Sequence, residues 1–176
     1  MDLYNFTTGQ WTQKTLSPSF SDPTVAVVDN QVVIAGGILP NNQDSNTVNI
    51  FNAITGQWST HTLAYAAYDM SAAVSGNLLV LAGGATEGTD IPAATMYNAH
   101  TGEWSTDWRA LSQARAHPIT AVVDGKMIFA GGYTTNSESQ VVDVYDTGTG
   151  RWSTTAPLVN TPFNGFGTGV TVGSTA

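Results

Sequence analysis

The chain has 176 residues, 13 acidic against 5 basic side chains, a net charge of −8 and no cysteine. That length suits about one domain with a sizeable core, and the lack of cysteine excludes disulfides, thiol nucleophiles and thiolate metal sites while leaving the redox compartment open. The five cations, Lys14, Arg109, Arg115, Lys126 and Arg151, are scattered, which disfavours nucleic acid and anionic membranes as partners. The apolar stretches Thr24–Ala35, Ala72–Ala82 and Ile119–Ala130 fall short of the roughly 20 residues a spanning helix needs, so membrane insertion is not expected.

Only 10% of residues are charged, while threonine (25 copies) and glycine (18) abound, a bias toward strands and turns. The chain opens inside a strand at Asp2-Leu3-Tyr4, followed by a Thr8-Gly9 turn and Trp11. Two almost wholly apolar strands, Thr24–Val28 and Gln31–Ala35, then flank Asp29-Asn30, a two-residue hairpin signal. Strands so uniformly apolar are predicted to be buried on both faces. Gly36-Gly37 leads into a polar loop, Ile38–Thr47, then a strand reaching Phe51, a Thr55-Gly56 turn and a strand opening at Trp58. The same succession returns with a hairpin turn at Ser75-Gly76, then Gly83-Gly84, Tyr97, Thr101-Gly102 and Trp104. It returns again with Asp124-Gly125, Gly131-Gly132, Tyr145, Thr149-Gly150 and Trp152. The closing stretch, Gly167–Ala176, matches the first strand of a further unit.

Trp11, Trp58, Trp104 and Trp152 are 47, 46 and 48 residues apart, and Tyr4, Phe51, Tyr97 and Tyr145 keep the same spacing. A leucine closes each unit at Leu16, Leu63, Leu111 and Leu158. Four strands in about 47 residues, graded from apolar to polar, describe one propeller blade. The segments ILPNNQDSNTVNIFNAITGQW and YTTNSESQVVDVYDTGTGRW, each behind its diglycine, resemble kelch repeats, whose pattern is a hydrophobic run, a diglycine, a tyrosine and a tryptophan. The resemblance covers essentially the whole chain. It implies an all-β β-propeller built of four-stranded antiparallel kelch-like blades, about four blade equivalents in a single domain: residues 1–21 (partial), 22–68, 69–116, 117–163 and 164–176 (partial). One departure is that only Leu111–His117, LSQARAH, carries the arginine that kelch repeats often place before the first strand.

Residues that serve every unit alike read as scaffold. The four tryptophans are expected to pack between neighbouring blades, where an aromatic buries about 150 to 250 Å². The diglycines Gly36-Gly37, Gly83-Gly84 and Gly131-Gly132 are expected to allow close backbone approach; neither GxGxxG nor a Walker pattern accompanies them. Function is sought where the repeats differ. The loops after the second and fourth strands of each blade leave from one end and form the longer, variable set. There Asp22, Asp69, His117 and Asn164 occupy equivalent positions before the innermost strand, with Phe20, Tyr65, Tyr68, Arg115 and Phe163 around them. One reading is a pocket for a small ligand or a peptide; the plainer one is strand capping. Trp108 with Arg109 lies outside the repeat, on an insertion read as a bulge, and is a candidate interface pair or the cover of a blade edge.

No catalytic constellation emerges. His61, His100 and His117 have no metal-site spacing, no GxSxG elbow is present, and Asp143 and Asp146 fall on opposite faces of a strand. Among enzymes with kelch-like propellers, the copper oxidases need a Cys-linked tyrosine, and the nitrile-specifier-like proteins an iron-binding Glu, Asp, His spacing that Glu87, Asp90 and His100 do not reproduce. No catalytic residue, metal or cofactor is therefore assigned. Three full units and two fragments cannot close a ring of 4 to 8 blades unaided. Two copies could form a ring of about eight blades as an obligate dimer, one chain could close as four blades, or the chain could be a stretch of a larger propeller or array. Self-association is the favoured expectation. The kelch resemblance implies a non-catalytic module binding protein or peptide with the long-loop face. The alternative is an extracellular structural or glycan-binding protein, suggested by the low lysine content and the sequon Asn5-Phe6-Thr7; an enzyme acting through Asp69 or His117 at the channel mouth comes third.

Overall fold

Runs of β-branched and apolar residues separated by tight turns fold each repeat into one antiparallel sheet. The computed structural model describes residues 1–159 and 170–172. A hairpin of β1 (Asp2–Asn5) and β2 (Gln10–Gln13) comes first. The first four-stranded sheet runs β3 (Thr24–Val28), β4 (Gln31–Ala35), β5 (Thr47–Asn52) and β6 (Trp58–Thr62), in that order. The second contains β7 (Ser71–Ser75) and β8 (Leu78–Ala82); the loop after β8 carries the short paired arms β9 (Ala85–Thr86) and β10 (Thr89–Asp90), and β11 (Ala94–Asn98) and β12 (Glu103–Asp107) complete the sheet. The third follows the same plan with β13 (Ile119–Val123), β14 (Lys126–Ala130), the arms β15 (Tyr133–Thr134) and β16 (Ser137–Glu138), β17 (Val142–Asp146) and β18 (Arg151–Thr154). Strand β19 (Val170–Val172) runs parallel along β13, on the inner edge of the third sheet. The second hairpin turn lies one residue later than its sequence suggests. Ser75 pairs with Leu78, which leaves Gly76-Asn77 as the turn, with Gly76 at φ +56°.

The inner strands β3, β7 and β13 pack in succession, and two apolar cores fill the seams. In the first, Val28, Val33, Ala35, Val48 and Ile50 meet Leu79, Leu81 and Tyr97 of the second sheet. In the second, Ala73, Val80 and Ala82 meet Val122, Met127 and Phe129. The expectation that both inner strands of a unit are buried on both faces holds for β4 and β8 but fails for β3. Val25 and Val27 are 56% and 61% exposed, whereas their counterparts in the second sheet, Ala72 and Val74, pack on the first core. The reason is geometric: each sheet is covered on that face by its predecessor, and the two strands β1 and β2 supply none of the inner half that would cover β3.

The marker aromatics pair across the two outer strands of one sheet, a contact that the expectation of packing between blades did not include. Tyr4 faces Trp11, Phe51 faces Trp58, Tyr97 faces Trp104 and Tyr145 faces Trp152, with ring centroids 4.3 to 5.2 Å apart. Contacts across the first seam are added to these pairs. The Tyr97 hydroxyl donates to Gln31 Oε1 at 2.7 Å, and His61 stacks on Trp104 at 4.4 Å, its imidazole pKa lowered by burial. Trp11 remains 69% exposed because its hairpin pairs with no other strand among the described residues.

One residue after each aromatic stands a side chain that the sequence reading did not single out. Asn5, Asn52, Asn98 and Asp146 each accept two backbone N–H groups with Oδ1, from residues two and three positions later. The glycine four residues on, Gly9, Gly56, Gly102 or Gly150, donates to the same residue's carbonyl with φ from +66° to +77°. This Asx turn is the physical content of the Thr-Gly marker. At Asp146 the Lys126 ammonium, 2.7 Å away, and then the Thr149 N–H pull the carboxyl pKa from 3.8 down to about 2. Because the folded value lies below the unfolded one, the turn's ionic contribution is complete above about pH 4 and is lost as the pH falls toward 2. Replacing Lys126→Ala is predicted to move the Asp146 carboxyl back toward the ordinary range, as read by a carbon-detected NMR titration.

Candidate functional site

The diglycines bring the two loop sets to one end. Gly37 N–H donates to Ala67 O at 2.9 Å and Gly84 N–H donates to Arg115 O at 3.0 Å, each tying a blade to the loop that enters the next one. Reciprocal bridges join Ser21 with Ile38, Tyr68 with Ala85 and Ala116 with Tyr133. A Cβ on Gly84 or Gly132 would lie 2.5 Å from the carbonyl oxygen of Tyr68 or Ala116, and the two glycines hold φ of +96° and +93°. Only glycine tolerates both conditions. The loops after the second and fourth strands therefore share one end, as the antiparallel order of the strands implies.

On that end the equivalent positions of neighbouring blades meet. His117 Nε2 lies 3.1 Å from Asp69 Oδ2, both side chains about one quarter exposed, and His117 N–H donates to Asp69 O. Asp22, Asp69 and His117 share a left-handed backbone, with φ of +50°, +58° and +52°. Asp, Asn and His are the side chains that most often accept this conformation, so the strand-capping reading explains part of their recurrence. Tyr68 is half-buried beside Asp69; burial first, then the carboxylates of Asp44, Asp69 and Asp90, raise its phenol pKa. Asp22 is exposed, while Phe20 is half-buried and lines a separate groove with Met1 and Lys14 near the first hairpin. Tyr65 is half-buried, with burial the leading cause of its raised pKa, and its ring lies 5.4 Å from that of Trp108. Trp108 is 57% exposed and Arg109 is exposed beside it. Phe163 and Asn164 lie outside the described residues.

Arg115 does not belong to a surface pocket. Its side chain is fully buried, and its guanidinium donates to Asp143 Oδ2 at 2.8 Å, to Phe129 O and to Gln113 O. Asp143 also accepts from Ser112 N–H and the Thr154 hydroxyl. The arginine before the first strand thus fastens its loop to the middle of the blade, a buried charge held by a partner and by carbonyls. The corresponding positions in β5 and β11, Asn49 and Thr95, are buried too, but no arginine reaches them. Two further acids lie on the loop face: Asp44 Oδ2 accepts from Glu87 N–H at 2.6 Å, and Asp90 Oδ2 accepts from Thr135 N–H at 2.5 Å and from its hydroxyl at 2.9 Å. Their signal in the sequence is one acid on the returning arm of successive long loops, visible only after the arms are paired. Among the described residues no cluster of three or more His, Asp or Glu side chains is arranged to hold a metal ion.

Removing one partner of a buried pair strands the other charge, so Asp143→Ala is predicted to cost about 3 to 5 kcal/mol of stability. The double variant Arg115→Met with Asp143→Leu is predicted to recover most of that loss. Urea unfolding of the three chains checks both, and a double variant no more stable than Asp143→Ala counts against the pairing as the cause.

Comparison with known proteins gives the fold a family. Residues 22–175 match the model of the KLHDC2/KLHL20/DRC7 Kelch-repeats domain. No curated protein matches the chain. The solved structure of YjhT superposes with a TM-score of 0.68 at 16% identity, over 87% of this chain and 57% of that one; this chain thus spans less than two thirds of that structure's length. With three antiparallel four-stranded blades, a diglycine after the second strand of each, and the match over most of its length, the chain belongs to the kelch-repeat family of β-propellers.

Proposed function

We propose that the chain is a non-catalytic binding and assembly module that takes a protein or peptide on its long-loop face, around Tyr68, Asp69 and His117. The observation that carries this reading is the contact between Asp69 and His117, supplied by successive blades at the loop end, each side chain about one quarter exposed. A groove of about 350 Å³ opens between the first two long loops, lined by Asn42, Gln43, Asp44, Ala66, Thr86 and Glu87. Backbone hydrogen bonds, not side chains alone, hold these loops, which suits a preformed surface that loses little entropy on binding. Membership of the kelch family supports a protein-interaction role. Panning a phage-displayed peptide library against the chain is expected to enrich peptides that lose binding to the double variant Asp69→Ala, His117→Ala while that variant keeps its circular dichroism. Peptides that bind both forms equally would overturn this placement of the site.

Trp108 favours a second reading as an extracellular glycan-binding protein. Its exposed ring, backed by Tyr65, is a platform on which a sugar face could stack. A glycan array showing binding abolished by Trp108→Ala, with peptide panning silent, selects this reading.

Assembly is the other half of the proposal: self-association completes the ring. The uncovered face of β3, with Val25 and Val27 exposed where the next two sheets are covered, supports it. Light scattering over a dilution series is expected to give about twice the 18.5 kDa chain mass, reverting to one chain in Val25→Asp, Val27→Asp. A folded wild-type monomer at every concentration rejects self-association.

A further inference from the structure

We infer that the long-loop face is locked by a relay of two coupled contacts, in which an acid on the returning arm of one loop holds the tip of the next: Asp44 fixes the second loop, and the second loop fixes the third through Asp90. The contact occurs twice at equivalent places. Asp44 bridges with Ile38 on the first loop as Asp90 pairs with Ala85 on the second. Each receiving residue, Glu87 and then Thr135, stands third after its diglycine. The bonds join residues 43 and 45 apart in sequence, at 2.6 Å and 2.5 Å, at exposed loop tips. Glu87 holds a left-handed backbone at φ +49°, a conformation unfavourable for glutamate that a charge-assisted bond to its N–H offsets.

The coupling follows from the covalent order. Glu87 and Asp90 belong to one small hairpin, in which Thr86 pairs with Thr89 and Ala85 with Asp90, so a displaced tip carries Asp90 with it. The third loop returns no such bond to the second among the described residues. At the first loop the corresponding third position is Pro40, which has no N–H to give; that loop can hold its neighbour through Asp44 but cannot be held in the same way. Tyr68 reports on the relay, since Asp44 and Asp90 both act on its phenol. The relay stands whichever partner the face takes, so its test is separate from the binding experiments.

Amide hydrogen exchange followed by NMR on the whole chain reads it directly. In the unmodified protein the Glu87 and Thr135 amides are expected to be protected. Asp44→Ala and Asp90→Ala should each speed exchange at the amide that loses its acceptor by roughly ten- to a hundredfold, the range set by a hydrogen bond to a charged acceptor, and should speed the other amide as well, because coupling between two contacts is reciprocal. Strand amides in β8 and β14 serve as the folding control. Asp44→Asn and Asp90→Asn, which keep the shape, should show the same pattern more weakly and lower the Tyr68 pKa. Either variant acting only on the amide that loses its acceptor would overturn the relay; unchanged exchange in all variants would overturn the locking contact itself.

Discussion

The close approach at each diglycine is the constraint on which the rest of the structure depends. A strand pair that is apolar can be buried between neighbours only if its polar backbone finds partners where it leaves the sheet. Gly37 and Gly84 meet that need by donating to the carbonyl of the loop that enters the following blade. The geometry leaves no volume for a side chain and demands a left-handed backbone. The same bonds therefore join blade to blade and gather the variable loops at one end. Scaffold and site share a single device, because the residues that exclude a side chain from the seam also set where Tyr68, Asp69 and His117 come to lie.

Outside this hub the blade is held by repeated local structures. The outer strands are joined by an Asx turn at Asn5, Asn52, Asn98 and Asp146, and they are clamped by an aromatic pair that flanks the turn. These elements recur because each sheet has the same problem, an outer edge that faces water with little core behind it. Their recurrence removes them from the list of functional candidates. What distinguishes the blades is polar: Arg115 with Asp143 in the third, uncharged Asn49 and Thr95 at the matching positions of the others, and the different side chains at the loop tips.

Much of this was legible in the sequence. A period near 47, six recurring markers and two-residue hairpin signals were enough to reach antiparallel four-stranded kelch blades, and the equivalence of Asp69 and His117 was enough to bring them together. Other features were not legible, for stated physical reasons. Turn register at Gly76-Asn77 depends on which residues face each other across β7 and β8, a choice that a neighbouring serine and glycine leave open. The cross-strand partner of each tryptophan depends on register as well, so the sequence separated scaffold from site without distinguishing pairing inside a sheet from packing between sheets. Asp44 and Asp90 look like ordinary loop acids until the loops are paired.

By itself, then, the sequence determined the repeat, the strands, the turns that need glycine and the end on which variable loops gather, because all of these follow from short-range chemistry repeated at constant spacing. Tertiary structure decided what each exceptional side chain does. Arg115, one residue from the loop surface in sequence, is drawn inward by Asp143, since a buried carboxylate in the middle of a blade has to be matched by charge and hydrogen bonds. Val25 and Val27, apolar like their buried counterparts, stay open because burial is a property of the neighbouring blade and not of the strand that carries them.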